Sequence, residues 1–238
     1  MAVIEGGTSA ALTDVGSNTK AMRIEALPTD VGSLGAYQIV ATSGTVAAGL
    51  AAAAPVFSFR WGDASRACLI KRVSMVAKNA GTAFTAGAQL HELLVARSFT
   101  ASDTGGTSVL PTGNSQKKRT SFGTTLVTDM RIASTGTLTA GTRTLDGAAV
   151  GALRGLVPAT QTSYIMVGAS SNHVPGAATT AFVMDWADLY VQDTGDEWPL
   201  VLVQNEGFII RSTVPATGTW DFSIRVQWTE VATTAGFN

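Results

Sequence analysis

The densest group of oxygen-bearing side chains in this 238-residue chain is acidic: Asp185, Asp188, Asp193, Asp196 and Glu197 fall close together. Carboxylates so spaced could hold a hard cation such as Ca²⁺, which takes oxygen ligands. The run lacks the Asp-x-Asp-x-Asp-Gly pattern and closing Glu of a calcium loop, so it reads as a solvated acidic loop. A hydrolase or lyase centre around residues 185–197 is the enzyme alternative. His91 and Glu92 are sequence neighbours. On a strand they point to opposite faces and cannot form one acid/base pair. His173 lies in the turn-like segment Ser170-Ser171-Asn172-His173-Val174-Pro175, where a hydrogen-bonding polar role is expected. Tyr164, Trp186, Tyr190 and Trp198 could stack on sugar rings. Large aromatics at alternating positions more often fill sandwich cores, and only Trp198, beside Pro199 and the acidic run, reads as solvent-facing.

No Gly-x-Ser-x-Gly elbow, Walker loop or dinucleotide fingerprint is present, and Gly151-Ala152-Leu153-Arg154-Gly155 lacks the spacing that would make its glycines bind phosphate. Cys68 is the only cysteine, which rules out an intrachain disulfide and reads as a small packed hydrophobe. No residue is assigned a catalytic, cofactor-binding or metal-ligating role, and no cofactor or small-molecule substrate is expected.

Only 14% of the residues are charged, against roughly 25% in ordinary soluble proteins. Mean hydropathy is +0.23, yet no run approaches the ~20 apolar residues of a membrane helix. An uncharged Ala-, Gly-, Thr- and Ser-rich exterior fits a protein whose surface is covered by partners. Net charge is −1 and the basic residues are scattered, so neither nucleic acid nor membrane is expected as a partner. The one basic cluster, Gln116-Lys117-Lys118-Arg119, reads as a solvated loop tip or as a contact to an acidic partner surface. The opening residues carry no basic-then-apolar pattern of a secretory signal.

The elements that would position these residues are strands. In 219–230, Trp220, Phe222, Ile224, Val226 and Trp228 alternate with Asp221, Ser223, Arg225, Gln227 and Thr229, the period of a strand with one buried face. Further strands are expected at 38–41, 56–61, 67–79, 125–127, 130–132, 163–167, 181–186, 200–203 and 207–212. The 67–79 strand is apolar on both faces, as a central strand would be. Residues 89–99 fit helical and strand spacing alike, and Thr- and Gly-rich flanks favour strand. The tip of the long Thr/Ser/Gly-rich excursion over 102–144 is the expected partner-contacting surface, because unstructured connections of that length are uncommon unless functional. The reading is an all-β, antiparallel β-sandwich with jelly-roll wiring: an extended N-terminal arm over 1–36, the sandwich over 37–231 and a tail over 232–238.

The two ends of the chain resemble virion proteins of tailed bacteriophages. The likeness lies in Met-Ala-Val-Ile-Glu-Gly-Gly at residues 1–7, Leu12-Thr13-Asp14-Val15-Gly16, the run from Gln204 to Arg211 and the run from Gly218 to Glu230. It implies a structural particle component, of the kind found among capsid decoration, tail-accessory and fibre-anchoring proteins, many of them jelly rolls; it carries over no catalytic residue. The expectation is therefore a non-enzymatic, homo-oligomeric virion subunit, a decoration (cement) or tail-associated protein whose partners are its own copies and other virion proteins. A carbohydrate- or receptor-binding sandwich of a phage tail is the alternative.

Overall fold

The alternation in the last long run is realised as a strand, Trp220–Ala232, whose Trp220, Phe222, Ile224, Val226 and Trp228 are all at most 1% exposed while the residues between them are half-buried. Burying such side chains stabilises by about 1.5–3 kcal/mol each. In this computed structural model, residues 12–14, 20–22, 34–47, 50–80, 87–157, 186–192, 199–215 and 217–232 are described. They form β1 (Leu12–Asp14), β2 (Lys20–Met22), β3 (Gly35–Thr42), β4 (Ala54–Trp61), β5 (Arg66–Asn79), β6 (Gly87–Ala101) and β7 (Thr107–Ser108). Then follow β8 (Val127–Ile132), β9 (Thr142–Leu145), β10 (Gly151–Val157), β11 (Ala187–Val191), β12 (Leu200–Leu202), β13 (Glu206–Thr213) and β14 (Trp220–Ala232). Among the described residues there is no α-helix, only one 3-10 turn at Leu50–Ala52.

Two antiparallel sheets face each other. One contains the order β11-β5-β14-β3 and the other β10-β6-β13-β4-β8-β7. Counting the eight principal strands, β3 pairs with β14, β4 with β13, β5 with β11 and β6 with β10, first with last and inward, like a long hairpin rolled into two layers. The roll is completed where β14 pairs with β5 and β13 with β6. This is jelly-roll wiring. Facing the interior, Phe59 stacks on Phe208 within one sheet (5.0 Å between centroids) and Tyr37 on Trp228 within the other (5.4 Å), and Trp228 meets Phe59 edge-on across the layers (5.6 Å).

The 89–99 segment lies within β6, with Leu93 and Val95 facing the main core and Leu94 and Ala96 a smaller cluster on the opposite face. The imperfect alternation of β5 has a local cause: its ladder with β14 skips Lys71, pairing Arg72 with Gln227 and Ile70 with Trp228. That bulge brings Ile70 and Val73 onto the same, inner face.

Two sequence expectations change, while the strands expected at 163–167 and, except for Trp186, at 181–186 lie outside the described residues. β9 and β10 occupy stretches whose Thr, Gly and Ala content gave no strand signal. β1 and β2 pair with each other inside the expected arm, and Gly35 and Ala36 already belong to β3. The rest of the arm through residue 33 and the tail from 233 lie outside the described residues.

Candidate functional site

The excursion after β6 is anchored at its neck and again at its far end. At the neck, Thr104 and Thr139 exchange backbone hydrogen bonds of 2.9 Å. Asp103 accepts from the Gly141 amide (2.9 Å) and pairs with Arg143, both carboxylate and guanidinium nearly inaccessible. The Arg143 guanidinium also lies 5.6 Å from the centre of the Phe99 ring. Arg60 fixes the neighbouring chain by donating to the carbonyls of Phe99 (2.6 Å) and Thr100 (2.9 Å).

From that neck the excursion crosses from the β8 side of one sheet to the free edge of the other. The Gln38 amide donates to the Gln116 carbonyl (3.0 Å) and the Lys118 amide to the Ala36 carbonyl (2.8 Å), so residues 116–118 lie along β3 as a fragment of an added strand. We call residues 102–141 the strap. Its return is held by Glu230, whose Oε1 accepts from the Thr125 hydroxyl (2.7 Å) and the Leu126 amide (2.9 Å). Arg66 stands 3.7 Å from the other carboxylate oxygen. Glu230 is fully buried, and burial outweighs these bonds and holds its carboxyl above the ordinary range. Nearby, the Tyr37 hydroxyl donates to the Gly123 carbonyl (2.8 Å); burial first, then Glu230, push the phenol up to about 12. Cys68 is buried beside the same carboxylate, its thiol pushed up mainly by burial, and it is inert packing as expected.

The basic triplet therefore does not sit on a free loop tip. Lys118 donates to Gln38 Oε1 (2.5 Å), Lys117 to Asn114 Oδ1 (2.9 Å), and the Arg119 guanidinium lies 6.0 Å from the centre of the Phe122 ring. None of the three meets a carboxylate among the described residues, whereas Arg72, Lys78, Arg97, Arg131, Arg143 and Arg211 all do. Residues 112–116, 118–121 and 123–124 are exposed.

No protein family, curated protein or solved structure matches this chain. The functional reading rests on its own residues.

Of the acidic run only Asp188 is among the described residues, and it does not sit in a solvated loop. Asp188 projects from β11 and receives a two-pronged bond from Arg72 (2.7 and 2.6 Å) and another from the Ser74 hydroxyl (2.6 Å). Burial alone would raise this carboxyl, but the bonds from Arg72 and Ser74 together with the charge of Arg72 hold it below the usual range. Arg225 donates to Ser74 (3.0 Å) and covers the Trp186 ring at 4.9 Å, so this row is a cross-strand ionic ladder. Asp185, Asp193, Asp196, Glu197, His173, Tyr164 and Trp198 lie outside the described residues. Tyr190 packs on the main core, and its hydroxyl accepts from the Leu200 amide (2.8 Å). Beside it is a cavity of about 350 Å³ lined by Val150, Asp188, Leu189, Tyr190 and Val191.

His91 and Glu92 do point apart. Glu92 accepts from Arg211 (2.7 Å) on one face. His91 is fully buried on the other, between Ser212 (2.9 Å) and Gln89 (3.0 Å), and burial lowers it to about 4, a neutral imidazole with uncharged partners. Among the described residues no group of three or more His, Cys, Asp and Glu side chains could hold a metal ion. The sequence reading missed the anchoring roles of Glu230, Asp103 and Arg143; a lone Glu at an inward position of the 219–230 strand was the one available signal.

Proposed function

We propose that this protein is a non-enzymatic, homo-oligomeric structural subunit of a tailed-phage particle, a decoration (cement) or tail-associated protein. One observation carries the reading: a long, Thr/Ser/Gly-rich excursion is fastened at both ends by buried charges and yet presents an exposed surface. Ordering a loop costs roughly 1–2 kcal/mol of backbone entropy per residue. A fixed but exposed excursion suits repeated contact with neighbours, for which most of its entropy is already lost. The low charge of the chain and the resemblance of its ends to virion proteins support the same reading. The test is mass spectrometry of purified particles together with light scattering on the isolated protein. Detection in the particle in fixed ratio to the major shell protein, and a discrete oligomer in solution, are expected. Absence from particles together with a monomeric mass would refute it.

The alternative of a carbohydrate- or receptor-binding module draws on Trp186, Arg225 and Asp188, an aromatic and two charged groups gathered on one sheet face. Under that reading Trp186→Ala abolishes binding to a glycan array or to host cells while leaving the oligomer intact.

A further inference from the structure

β3 is the outer strand of its sheet, and its backbone parity identifies which groups are spare. Tyr37, Ile39 and Ala41 face Trp228, Val226 and Ile224 of β14, while Ala36 and Gln38 bond outward to the strap. By the two-residue period, Val40 and Thr42 also aim their N–H and C=O groups outward. There the strap has turned away: Gln116 adopts φ +60°, and the Ser115 amide bonds back to the Thr112 carbonyl. Farther on, residue 47 is covered again, its amide donating to Thr135. Between these two covers, Val40 and Thr42 have no backbone partner among the described residues. Val40 is 53% exposed, the highest value among the large apolar side chains described. An unpaired edge of this kind is a template for strand addition.

Resting on the oligomeric reading above, we infer that the gap in the β3 edge at Val40–Thr42 receives an extended segment from residues 1–11 of a second copy of this chain. Three features select that occupant. The segment carries a β-branched pair, Val3-Ile4, followed by Glu5, which complements the cations Lys117, Lys118 and Arg119 that have no carboxylate of their own. Extended, its eleven residues reach roughly 36–40 Å, enough to cross to a neighbour. Its own chain enters β3 at Gly35, beside the stretch the strap already covers and away from the gap at Val40–Thr42. Donation from copy to copy closes as a reciprocal exchange between two copies or, where it runs head to tail, as a ring or filament.

The test uses the full chain. A photo-crosslinking amino acid at position 40, in a mixture of isotopically heavy and normal copies, is expected to give heavy-to-light crosslinks into residues 1–11. Crosslinks confined to one copy, crosslinks into another region, or none at all would overturn the inference. In parallel, Val40→Pro removes the outward N–H at an edge position where proline is tolerated. It is expected to lower the native mass to the monomer while retaining the far-ultraviolet spectrum of the parent. Thr42→Pro serves as the second variant, with the same expectation. A wild-type oligomer that both variants retain refutes the strand addition alone. A wild-type protein that is monomeric at every concentration refutes the oligomeric reading beneath it.

Discussion

On one side of the sandwich β10 and β11 approach so closely that a Cβ on Gly151 would collide with the Leu189 carbonyl; on the other, β3 meets the edge of the facing sheet through the strap, which itself includes β7 and β8. The buried polar groups differ in the same way. Near the closed side, His91 is kept neutral between Ser212 and Gln89. On the strapped side the buried group is ionic, Glu230 near Arg66; at the strap's neck, where β9 pairs with β6, Asp103 is buried with Arg143. Uncharged hydrogen bonds suffice where backbone already meets backbone. The stretch of the strap over 112–124 is mostly exposed, and its return is fastened by a charge whose partners are fixed by geometry. The strapped side is thus the one whose edge leaves the outward backbone groups of Val40 and Thr42 without a partner among the described residues.

The largest expected effect lies at the strap's neck. Asp103→Ala leaves the Arg143 guanidinium buried without its partner, a change that costs roughly 3–5 kcal/mol. Residue-resolved hydrogen exchange of that variant is expected to show fast exchange over 102–141 with β6 and β14 still protected. Uniform loss of protection would mean that the strap is part of the cooperative core and that the two sides do not differ.

His91 tests the closed side. Its folded value of about 4 lies below the ordinary 6.5, so the unfolded chain binds the proton first as pH falls. Its contribution is complete above pH 6.5 and is lost as pH falls toward 4, about 3 kcal/mol in all. Denaturant titrations from pH 7 to 4 are expected to show that decline, and His91→Gln to flatten it.

Next in size is the backbone contact itself. Gly151→Ala must push β10 from β11, costing about 1–3 kcal/mol, as overpacking does. Gly136 of the strap has open space around its Cβ position, so Gly136→Ala is expected to stay within about 0.5 kcal/mol of the parent. Equal losses at both positions would erase the contrast.

Glu230→Gln is expected to produce the smallest change at neutral pH, because the amide oxygen still accepts from Thr125 and Leu126. Its signature is the slope. A carboxyl raised by burial contributes fully below its unfolded value near 4.5, and that contribution is lost as pH rises through the folded value. The substitution should remove this loss on the alkaline side of pH 4.5, and an unchanged profile would mean that the carboxylate is not destabilised by its burial.

Much of this fold was legible because it is written in short-range periodicity. The alternation of β14 and the Phe57, Phe59 and Trp61 face of β4 were readable residue by residue, and both proved buried as patterned. The jelly-roll wiring followed from many short strands without helical connections. What was not legible depends on distant partners. Residues 116–118 became part of a sheet because β3 offered an edge, and Asp188 became half of an ion pair because Arg72 and Ser74 lie across the ladder. β10 fails the hydrophobic pattern since its glycines serve close approach: Gly151 to β11 and Gly155 to Gln89. The basic triplet was seen, but whether it hung free or lay against a strand was a matter of tertiary pairing.

The claim that the strapped side is the assembly side is tested most directly by the amides of four consecutive β3 residues. Residue-resolved hydrogen exchange on the full chain, at dilutions that favour monomer and at concentrations that favour oligomer, separates them by parity. Ile39 and Ala41 amides, which face β14, are expected to be protected in both conditions. Val40 and Thr42 amides should exchange rapidly in the monomer and become protected in the oligomer. If Val40 and Thr42 exchange rapidly in both conditions while the native mass rises with concentration, the copies meet elsewhere and the account of the strapped side is wrong.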